Sequence, residues 1–184
     1  MSETVITAAI IFIVLQVATQ TFKVVGPSMR PTLVGGQHLL VNKLIYQTFD
    51  NDTLEDLLPW VERAADGEPA FLFHGPQRGD VIVFKPPTRD DSDFVKRVIG
   101  IPGDEIDIED GMVFVNGEPV EDGRTTRPRG ATDFPLTVPE GGLFVLGDNR
   151  GASNDSRAWG FVNAEDIVGR VIARYWPLSD FKFF

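Results

Sequence analysis

Short apolar runs separated by glycine and proline are the feature of this sequence that most limits its fold. Runs at 81–84, 94–100, 143–146 and 167–176 are rich in valine, isoleucine and phenylalanine, and each is soon followed by glycine or proline. Such runs are typical of β-strands, and an Asp-Gly pair at 110–111 indicates a hairpin. The pattern predicts a mainly β fold, and 184 residues are enough for one domain with its own core.

Composition removes several classes of function. The formal net charge of -10 disfavours contact with a phosphate backbone, so nucleic acid is not expected as a partner. The chain has no cysteine, which excludes disulfides, thiol catalysis and thiolate metal sites. His38 and His74 are the only histidines and lie in no recognisable motif, so neither a histidine-rich zinc site nor a Ser-His-Asp triad is expected.

The N-terminal segment at 4–22 carries no charge, and as a helix it would extend roughly 28 Å, close to the hydrocarbon thickness of a bilayer. A cleaved signal peptide would begin with basic residues, whereas only Glu3 is charged before the apolar run. A buried core segment is the other alternative. We expect a membrane anchor at 1–22 and a β-rich domain at 23–184, although the flanking charges do not indicate which way the domain faces.

Two further segments are predicted to lie outside the main strands. Asp52 and the leucines that follow it at helical spacing predict a short helix over 52–65. This helix belongs to a surface insertion expected at 48–76. The small, polar stretch 151–160 is expected to form a loop.

Ser28 and Lys96 are candidates for a nucleophile and its general base. A serine hydroxyl becomes a good nucleophile when a base removes its proton, and a lysine can be that base only when its amine is neutral. Burial lowers the pKa of a lysine, and Lys96 lies within the apolar run 94–100. Each residue also has an ordinary interpretation. Ser28 could be a turn serine, and Lys96 could cover apolar surface with its stem while its amine reaches water.

Four blocks of sequence, in this order, resemble those of the type I signal peptidases, which are serine-lysine proteases that remove signal peptides from exported proteins. GPSMRPTL at 26–33 is similar to the nucleophile block of that family, and RGDVIVF at 78–84 to its R-G-D block. FVKRVIGIPGD at 94–104 is similar to the general-base block, and the segment from 147 to 160 to the final block. The resemblance covers about residues 5–176.

The resemblance implies a role for individual residues. Ser28 corresponds to the nucleophile and Lys96 to the general base. Ser153 matches the serine whose hydroxyl orients the lysine amine in the family. Asp155 and Arg157 match a supporting salt bridge, which is a structural role.

Other positions in these blocks are expected to contribute through the backbone or through the architecture of the loop. Some members of the family carry a serine two residues before the nucleophile, where this chain has Gly26, so the oxyanion hole is expected to use backbone N–H groups. Ser28 N–H is the first candidate, with a contribution from the Gly26 backbone. Residues 148–150 are expected to serve the architecture of the loop, and the family's Asp-Asn pair is replaced by Gly151 and Ala152.

The resemblance also implies a fold and an activity. The fold is a complex of antiparallel sheets or a β-barrel with one N-terminal transmembrane helix and a protruding β subregion at about 105–142. The activity is cofactor-free removal of signal peptides with small residues at −1 and −3, by an enzyme held in the cell membrane by one span and facing the extracytoplasmic side. A related processing peptidase of a conjugation or pilus system, and a non-catalytic membrane-tethered domain that binds peptides, are the alternatives.

Overall fold

The fold is described by a computed structural model that covers residues 2–46, 48–49, 70–71, 74–89, 91–128 and 133–184. The helix predicted at 52–65 and most of the insertion predicted at 48–76 lie outside these ranges. The described residues are mainly β, as the spacing of short apolar runs predicted. Their strands form two larger antiparallel sheets and one short two-stranded pair.

The N-terminal segment divides into a helix and a strand. Helix α1 (Ser2–Ala18) contains most of the uncharged residues, and strand β1 (Thr19–Lys23) follows it directly. The helix therefore ends before Phe22, which was its expected limit. The register explains the early end, because Thr19 pairs with Asn42 and Lys23 with His38 in the main sheet. Within the part of the chain described, no helix combines the length and the apolar character needed to span a membrane.

The main sheet has eight strands, and every strand pairing within it is antiparallel. The strands after β1 are β2 (His38–Asn42), β5 (Val81–Phe84), β6 (Phe94–Gly100), β11 (Gly142–Leu146), β12 (Val162–Asn163), β13 (Ile167–Trp176) and β14 (Lys182–Phe183). Their order in the sheet is β1-β2-β13-β5-β6-β11-β12, and β14 pairs with β13 beside this path.

A smaller four-stranded sheet is formed by chain segments between residues 105 and 137. Its strands are β7 (Glu105–Glu109), β8 (Met112–Val115), β9 (Glu118–Pro119) and β10 (Leu136–Thr137). The separate two-stranded pair consists of β3 (Thr48–Phe49) and β4 (Ala70–Phe71). The order in the small sheet is β10-β7-β8-β9, and β3 pairs with β4. Strands β7 and β8 form the hairpin that the Asp-Gly pair predicted, with Asp110 and Gly111 both at positive φ.

Strand β13 connects the two halves of the main sheet, because it pairs with β2 on one side and with β5 on the other. Its register against β5 shifts between Ile167 and Gly169. A Cβ atom at Gly169 would lie 2.3 Å from the Asn42 carbonyl oxygen. The internal glycine therefore permits a close approach of two backbones at an irregular point in the ladder.

The segment 151–160 was expected to be a loop, and this prediction was wrong. A short 3₁₀ helix (Arg150–Ala152) is followed by one turn of α-helix, α2 (Ser156–Trp159). Asp155 caps α2, because its carboxylate accepts the Arg157 backbone N–H, and Gly160 ends it at a φ of 85°. The small polar residues of this segment do not indicate a helix, because the start of α2 depends on a single capping side chain, that of Asp155.

The buried core follows the strands rather than the helices. One cluster lies between β1, β2, β5 and β13 and includes Val24, Leu39 and Val83. A second cluster joins the small sheet to β6 and β11 through Ile99 and Phe144. Strand β6 therefore lies between two buried regions and fixes the position of the side chains that it carries.

Candidate active site

Ser28 lies in a short turn between β1 and β2. Gly26 begins this turn at a φ of 87°, a conformation that favours glycine, and Pro27 follows it. Met29 and Leu33 are buried and hold the turn against the core, and the Leu33 N–H donates to the Met29 carbonyl at 2.8 Å. Ser28 itself is partly exposed, so its hydroxyl is fixed in position and still accessible.

Lys96 lies on β6, opposite Ile82 of β5, and its side chain is buried, with 3% of the residue surface exposed. Its Nζ lies 3.0 Å from Ser28 Oγ, within hydrogen-bonding distance. The amine also donates to the Val95 carbonyl at 3.0 Å and sits 4.9 Å from the centre of the Phe94 ring. The structure thus brings together the two residues that the sequence singled out.

The surroundings of Lys96 make its amine less basic. Burial lowers the pKa of Lys96 from 10.5 to about 8, and the charge of Asp155 opposes this effect without cancelling it. A lysine with this pKa is neutral in a substantial fraction of molecules at mildly alkaline pH. The pair can therefore perform the proton transfer that a serine nucleophile requires.

Ser153 lies on the loop that follows β11. It is buried, and a Cβ atom added to Gly147 would lie 2.2 Å from Ser153 Oγ and 2.6 Å from the Ser28 carbonyl oxygen. Gly147 therefore allows the loop to pack closely against the Ser28 turn. The two hydrogen bonds described for Lys96 Nζ go to Ser28 and Val95, so the predicted role of Ser153 in orienting the amine stays a prediction.

Asp155 and Arg157 form a fully buried ion pair. Arg157 Nε donates to one oxygen of the Asp155 carboxylate at 2.8 Å, and Arg157 Nη2 donates to the other at 2.9 Å. The Gly147 N–H donates to the same carboxylate at 3.0 Å, and Arg157 also donates to the Arg150 carbonyl at 2.7 Å. The pair therefore connects Gly147 and Arg150, at the start of the loop, to the first turn of α2. The bidentate geometry of the ion pair makes this connection rigid.

Asp148 links the loop to the Ser28 turn through partners that the sequence analysis did not single out. Its carboxylate accepts a hydrogen bond from Thr32 Oγ1. It also accepts from Arg97 Nε at 2.9 Å and from Arg97 Nη2 at 2.8 Å, and Arg124 lies 3.4 Å away. Burial opposes ionisation, but the bonds and charges from these partners hold the pKa of Asp148 below its usual value. Thr32, Arg97 and Asp148 lie within the matched blocks, yet their pairing depends on the fold.

A groove with a volume of about 500 Å³ runs past Ser28 and Lys96. One wall is formed by residues 22–28 and the other by residues 92–96, and Leu39, Val83 and Asn154 complete it. Among the described residues, no group of three or more histidine, aspartate or glutamate side chains is arranged to hold a metal ion. The arrangement places a candidate nucleophile and base in the lining of this groove.

Comparisons with known proteins identify the family of the chain. A family model described as signal peptidase, peptidase S26, matches residues 1–176. Signal peptidase I of Leptolyngbya laminosa is 38% identical over 136 residues, a match that covers 68% of this chain and 66% of that relative. Signal peptidase I of Bacillus caldolyticus is 38% identical over 182 residues, covering 88% of this chain and 82% of the relative.

One solved structure is also similar. It is a signal peptidase I from Enterococcus faecalis V583, with 34% sequence identity and a TM-score of 0.46, covering 53% of this chain and 97% of that one. The match of the family model extends over nearly the whole sequence, and it includes both Ser28 and Lys96. The chain therefore belongs to the signal peptidases of the peptidase S26 family.

Proposed function

We propose that this chain, a serine endopeptidase by family, removes N-terminal signal peptides from exported preproteins with Ser28 as nucleophile and Lys96 as general base. The contact between the buried Lys96 amine and the Ser28 hydroxyl carries the proposal. Lys96 Nζ lies 3.0 Å from Ser28 Oγ, and burial lowers the pKa of this amine to about 8. The amine is therefore close enough to take the serine proton and is neutral in enough molecules to do so.

The reaction proceeds in two halves. Neutral Lys96 takes the proton from Ser28 Oγ as the oxygen attacks the scissile carbonyl carbon, which forms a tetrahedral intermediate. The ammonium of Lys96 then gives this proton to the leaving nitrogen, the peptide bond breaks, and the signal peptide remains as an ester of Ser28. A water molecule next gives a proton to Lys96 and attacks the ester carbonyl carbon. The Lys96 ammonium returns this proton to Ser28 Oγ as the ester bond breaks, which releases the signal peptide as a carboxylic acid and restores both residues.

Backbone donors stabilise the negative charge that develops on the carbonyl oxygen. The Ser28 N–H belongs to the nucleophile itself and is the first candidate, with the Gly26 backbone as a second contributor. One donor of this kind typically supplies about 3–4 kcal/mol of transition-state stabilisation. Gly26 has no side chain and adopts a φ of 87°, so this position contributes through its backbone alone.

The substrate lies as an extended peptide in the groove between residues 22–28 and 92–96. Residues 94–96 pair with β5 on one side, whereas β11 pairs with β6 from Arg97 onward. This leaves a backbone edge beside the groove on which a peptide can add as a strand. Valine and phenylalanine side chains line the walls. Shallow apolar subsites of this kind suit small residues at −1 and −3.

Helix α1 is proposed to hold the enzyme at the bilayer, in a single-pass arrangement with the β domain on the extracytoplasmic side. Several of its apolar side chains are exposed, among them Val5 at 69% and Phe12 at 61%. Glu3 is the only charged residue of the helix. A helix that exposes apolar side chains in this way is stabilised by an apolar environment, and a tethered enzyme meets signal peptides at high effective concentration.

The proposal is tested by cleavage of a preprotein that carries an Ala-x-Ala site, using the parent chain, Ser28→Ala and Lys96→Ala. The parent is expected to release the mature protein with a new N-terminus after the site, and each variant to lose at least about a thousandfold in rate. Ser179→Ala and Lys85→Ala change an exposed serine and an exposed lysine and serve as matched controls. A parent that binds the preprotein without cleaving it would instead indicate a peptide-binding domain.

A further inference from the structure

We infer that Asn149 is a positioning residue whose side chain holds the Pro27–Ser28 peptide unit so that the Ser28 N–H faces the groove. The inference rests on the proposed function, because it assigns this N–H to the oxyanion hole. It concerns a residue that was expected to serve loop architecture alone. Asn149 makes two hydrogen bonds to the Ser28 turn, the Pro27–Ser28 peptide bond is trans, and the loop that carries Asn149 is rigid.

Asn149 contacts two successive carbonyl groups of the Ser28 turn. Its backbone N–H donates to the Ser28 carbonyl at 2.9 Å. Its side-chain Nδ2 donates to the Pro27 carbonyl at 3.2 Å. The Pro27 carbonyl also accepts the Arg30 N–H at 3.1 Å, so this oxygen is held from two directions. One residue of the loop therefore fixes the peptide units on both sides of the nucleophile.

The orientation of the Pro27 carbonyl determines where the Ser28 N–H points. The peptide bond between Pro27 and Ser28 is not among the cis bonds of the chain, so it is trans, and its C=O and N–H groups point in opposite directions. A carbonyl directed toward Asn149 places the N–H on the opposite side. Within the described ranges, no hydrogen bond uses the Ser28 N–H, which leaves it available to a substrate carbonyl.

The loop around Asn149 is rigid enough to transmit this constraint. The preceding residue, Asp148, is buried and bonded to Arg97 and Thr32. Gly147 accepts no side chain without a clash, and the Asn149 carbonyl accepts the Ala152 N–H at 3.0 Å. Asn149 therefore presents fixed donors to the two carbonyl groups of the Ser28 turn.

The chemistry of the contact requires an amide. Nδ2 faces a carbonyl oxygen, so this position needs a donor. An aspartate side chain in place of the asparagine would have nearly the same shape but would direct an anionic oxygen at the Pro27 carbonyl. The variants Asn149→Ala and Asn149→Asp separate two roles, since alanine removes packing and the donor together, whereas aspartate keeps the shape and reverses the polarity.

The experiment measures kcat and KM for a peptide with an Ala-x-Ala site, at a pH above the pKa of Lys96 so that the base is neutral in every variant. Asn149→Ala is expected to lower kcat by about tenfold, and Asn149→Asp by about a hundredfold, with KM changed by less than about threefold. The acidic limb of kcat/KM in Asn149→Ala should keep the midpoint of the parent. Asn163→Ala and Asn163→Asp, at an exposed asparagine, are the matched controls.

A second measurement uses a peptide aldehyde with the same Ala-x-Ala sequence, which forms a tetrahedral adduct with the nucleophile. Its affinity should fall by the same factor as kcat/KM in each variant. A milder effect for aspartate than for alanine, unchanged kcat, or unfolding of both variants would assign Asn149 to packing and overturn the inference. A parent that cleaves nothing would instead overturn the proposed function, so the two failures are distinguishable.

Discussion

Lys96 is buried, as its proposed role as general base requires, and the burial has a cost for folding. Its amine contacts Ser28 Oγ, the Val95 carbonyl and the Phe94 ring, and no carboxylate lies within salt-bridge distance among the described residues. The difference between a pKa of 10.5 and one of about 8 corresponds to about 3 kcal/mol. At neutral pH the protein carries this destabilisation as an ammonium in an apolar site.

The first prediction concerns stability and its pH dependence. Lys96→Met keeps the length of the side chain and removes the charge, so the variant should be inactive and about 1–3 kcal/mol more stable than the parent at pH 7. Between pH 8 and 10.5 the unfolded parent binds more protons than the folded parent, and its stability relative to the variant should rise with pH. Urea denaturation of both proteins at pH 7 and pH 10 measures this difference.

Lys85→Met provides the comparison for that experiment. Lys85 is exposed, so its replacement removes a charge without relieving burial, and the free energy of unfolding should change by less than about 0.5 kcal/mol. If Lys96→Met were less stable than the parent at pH 7, the conclusion that burial of the Lys96 ammonium destabilises the fold would be wrong.

Individual elements were predictable from the sequence where the apolar pattern alone decides the structure. Strands β5, β6 and β13 have the limits that the sequence indicated, because β-branched residues and bounding turns specify them locally. The end of α1 was not predictable from the uncharged segment, since pairing with β2 determines it. Helix α2 was missed because its cap depends on the single carboxylate of Asp155.

In the site, too, the candidate residues could be predicted from their local sequence, whereas the contacts between distant residues could not. A lysine in an apolar strand and a serine in a rigid turn indicated a permissible pair, and the order of four blocks made it specific. The contact itself joins residues 68 positions apart, and the Thr32–Asp148 bond joins residues 116 positions apart. Asn149 was assigned to loop architecture because nothing in the sequence shows which carbonyl groups its side chain meets.

The loop after β11 gives a prediction at the scale of an element. Gly147→Ala would place a methyl group 2.2 Å from Ser153 Oγ and 2.6 Å from the Ser28 carbonyl oxygen, and both neighbours are held by the fold. We expect the free energy of unfolding to fall by about 2–4 kcal/mol. We also expect peptidase activity to fall, because the added methyl group displaces the Ser28 turn. Thermal unfolding and peptide cleavage measure the two effects.

Gly151→Ala is the matched change in the same loop. An added Cβ atom there would have its nearest neighbour, Asn149 Oδ1, at 4.0 Å, which is an ordinary contact distance. Stability should therefore stay within about 1 kcal/mol of the parent. Equal effects of the two substitutions would show that close packing at Gly147 does not hold the loop against the Ser28 turn.

At the scale of the whole molecule, an acidic β domain is joined to an apolar helix. The formal net charge of the whole chain is -10, whereas α1 carries Glu3 as its one charged residue and exposes Ile10 and Ile13 at 56% and 59%. The proposed membrane association therefore depends on α1. Strand β1 follows the helix directly and leads to Ser28, so the proposed anchor and the proposed nucleophile are separated by one strand and a short turn.

The double variant Ile10→Lys and Ile13→Lys tests this arrangement. Two charges in the apolar helix should reduce co-sedimentation of the full chain with phospholipid vesicles by at least about tenfold, because each charge costs ~2.5–3.5 kcal/mol at a membrane centre. Cleavage of a soluble peptide should be unaffected. The control is Glu118→Lys, which adds positive charge at an exposed position of β9. Unchanged binding to vesicles in the double variant would contradict a role for α1 as the anchor.

The central claim is that a neutral Lys96 amine removes the proton of Ser28, and a direct titration tests it. The Lys96 amine can be followed by NMR in the folded enzyme while kcat/KM is measured over the same pH range. We expect the amine to titrate near pH 8 and the acidic limb of kcat/KM to share that midpoint, since burial lowers its pKa. A Lys96 amine that titrates near 10.5, with activity already at its plateau below pH 8, would contradict the mechanism.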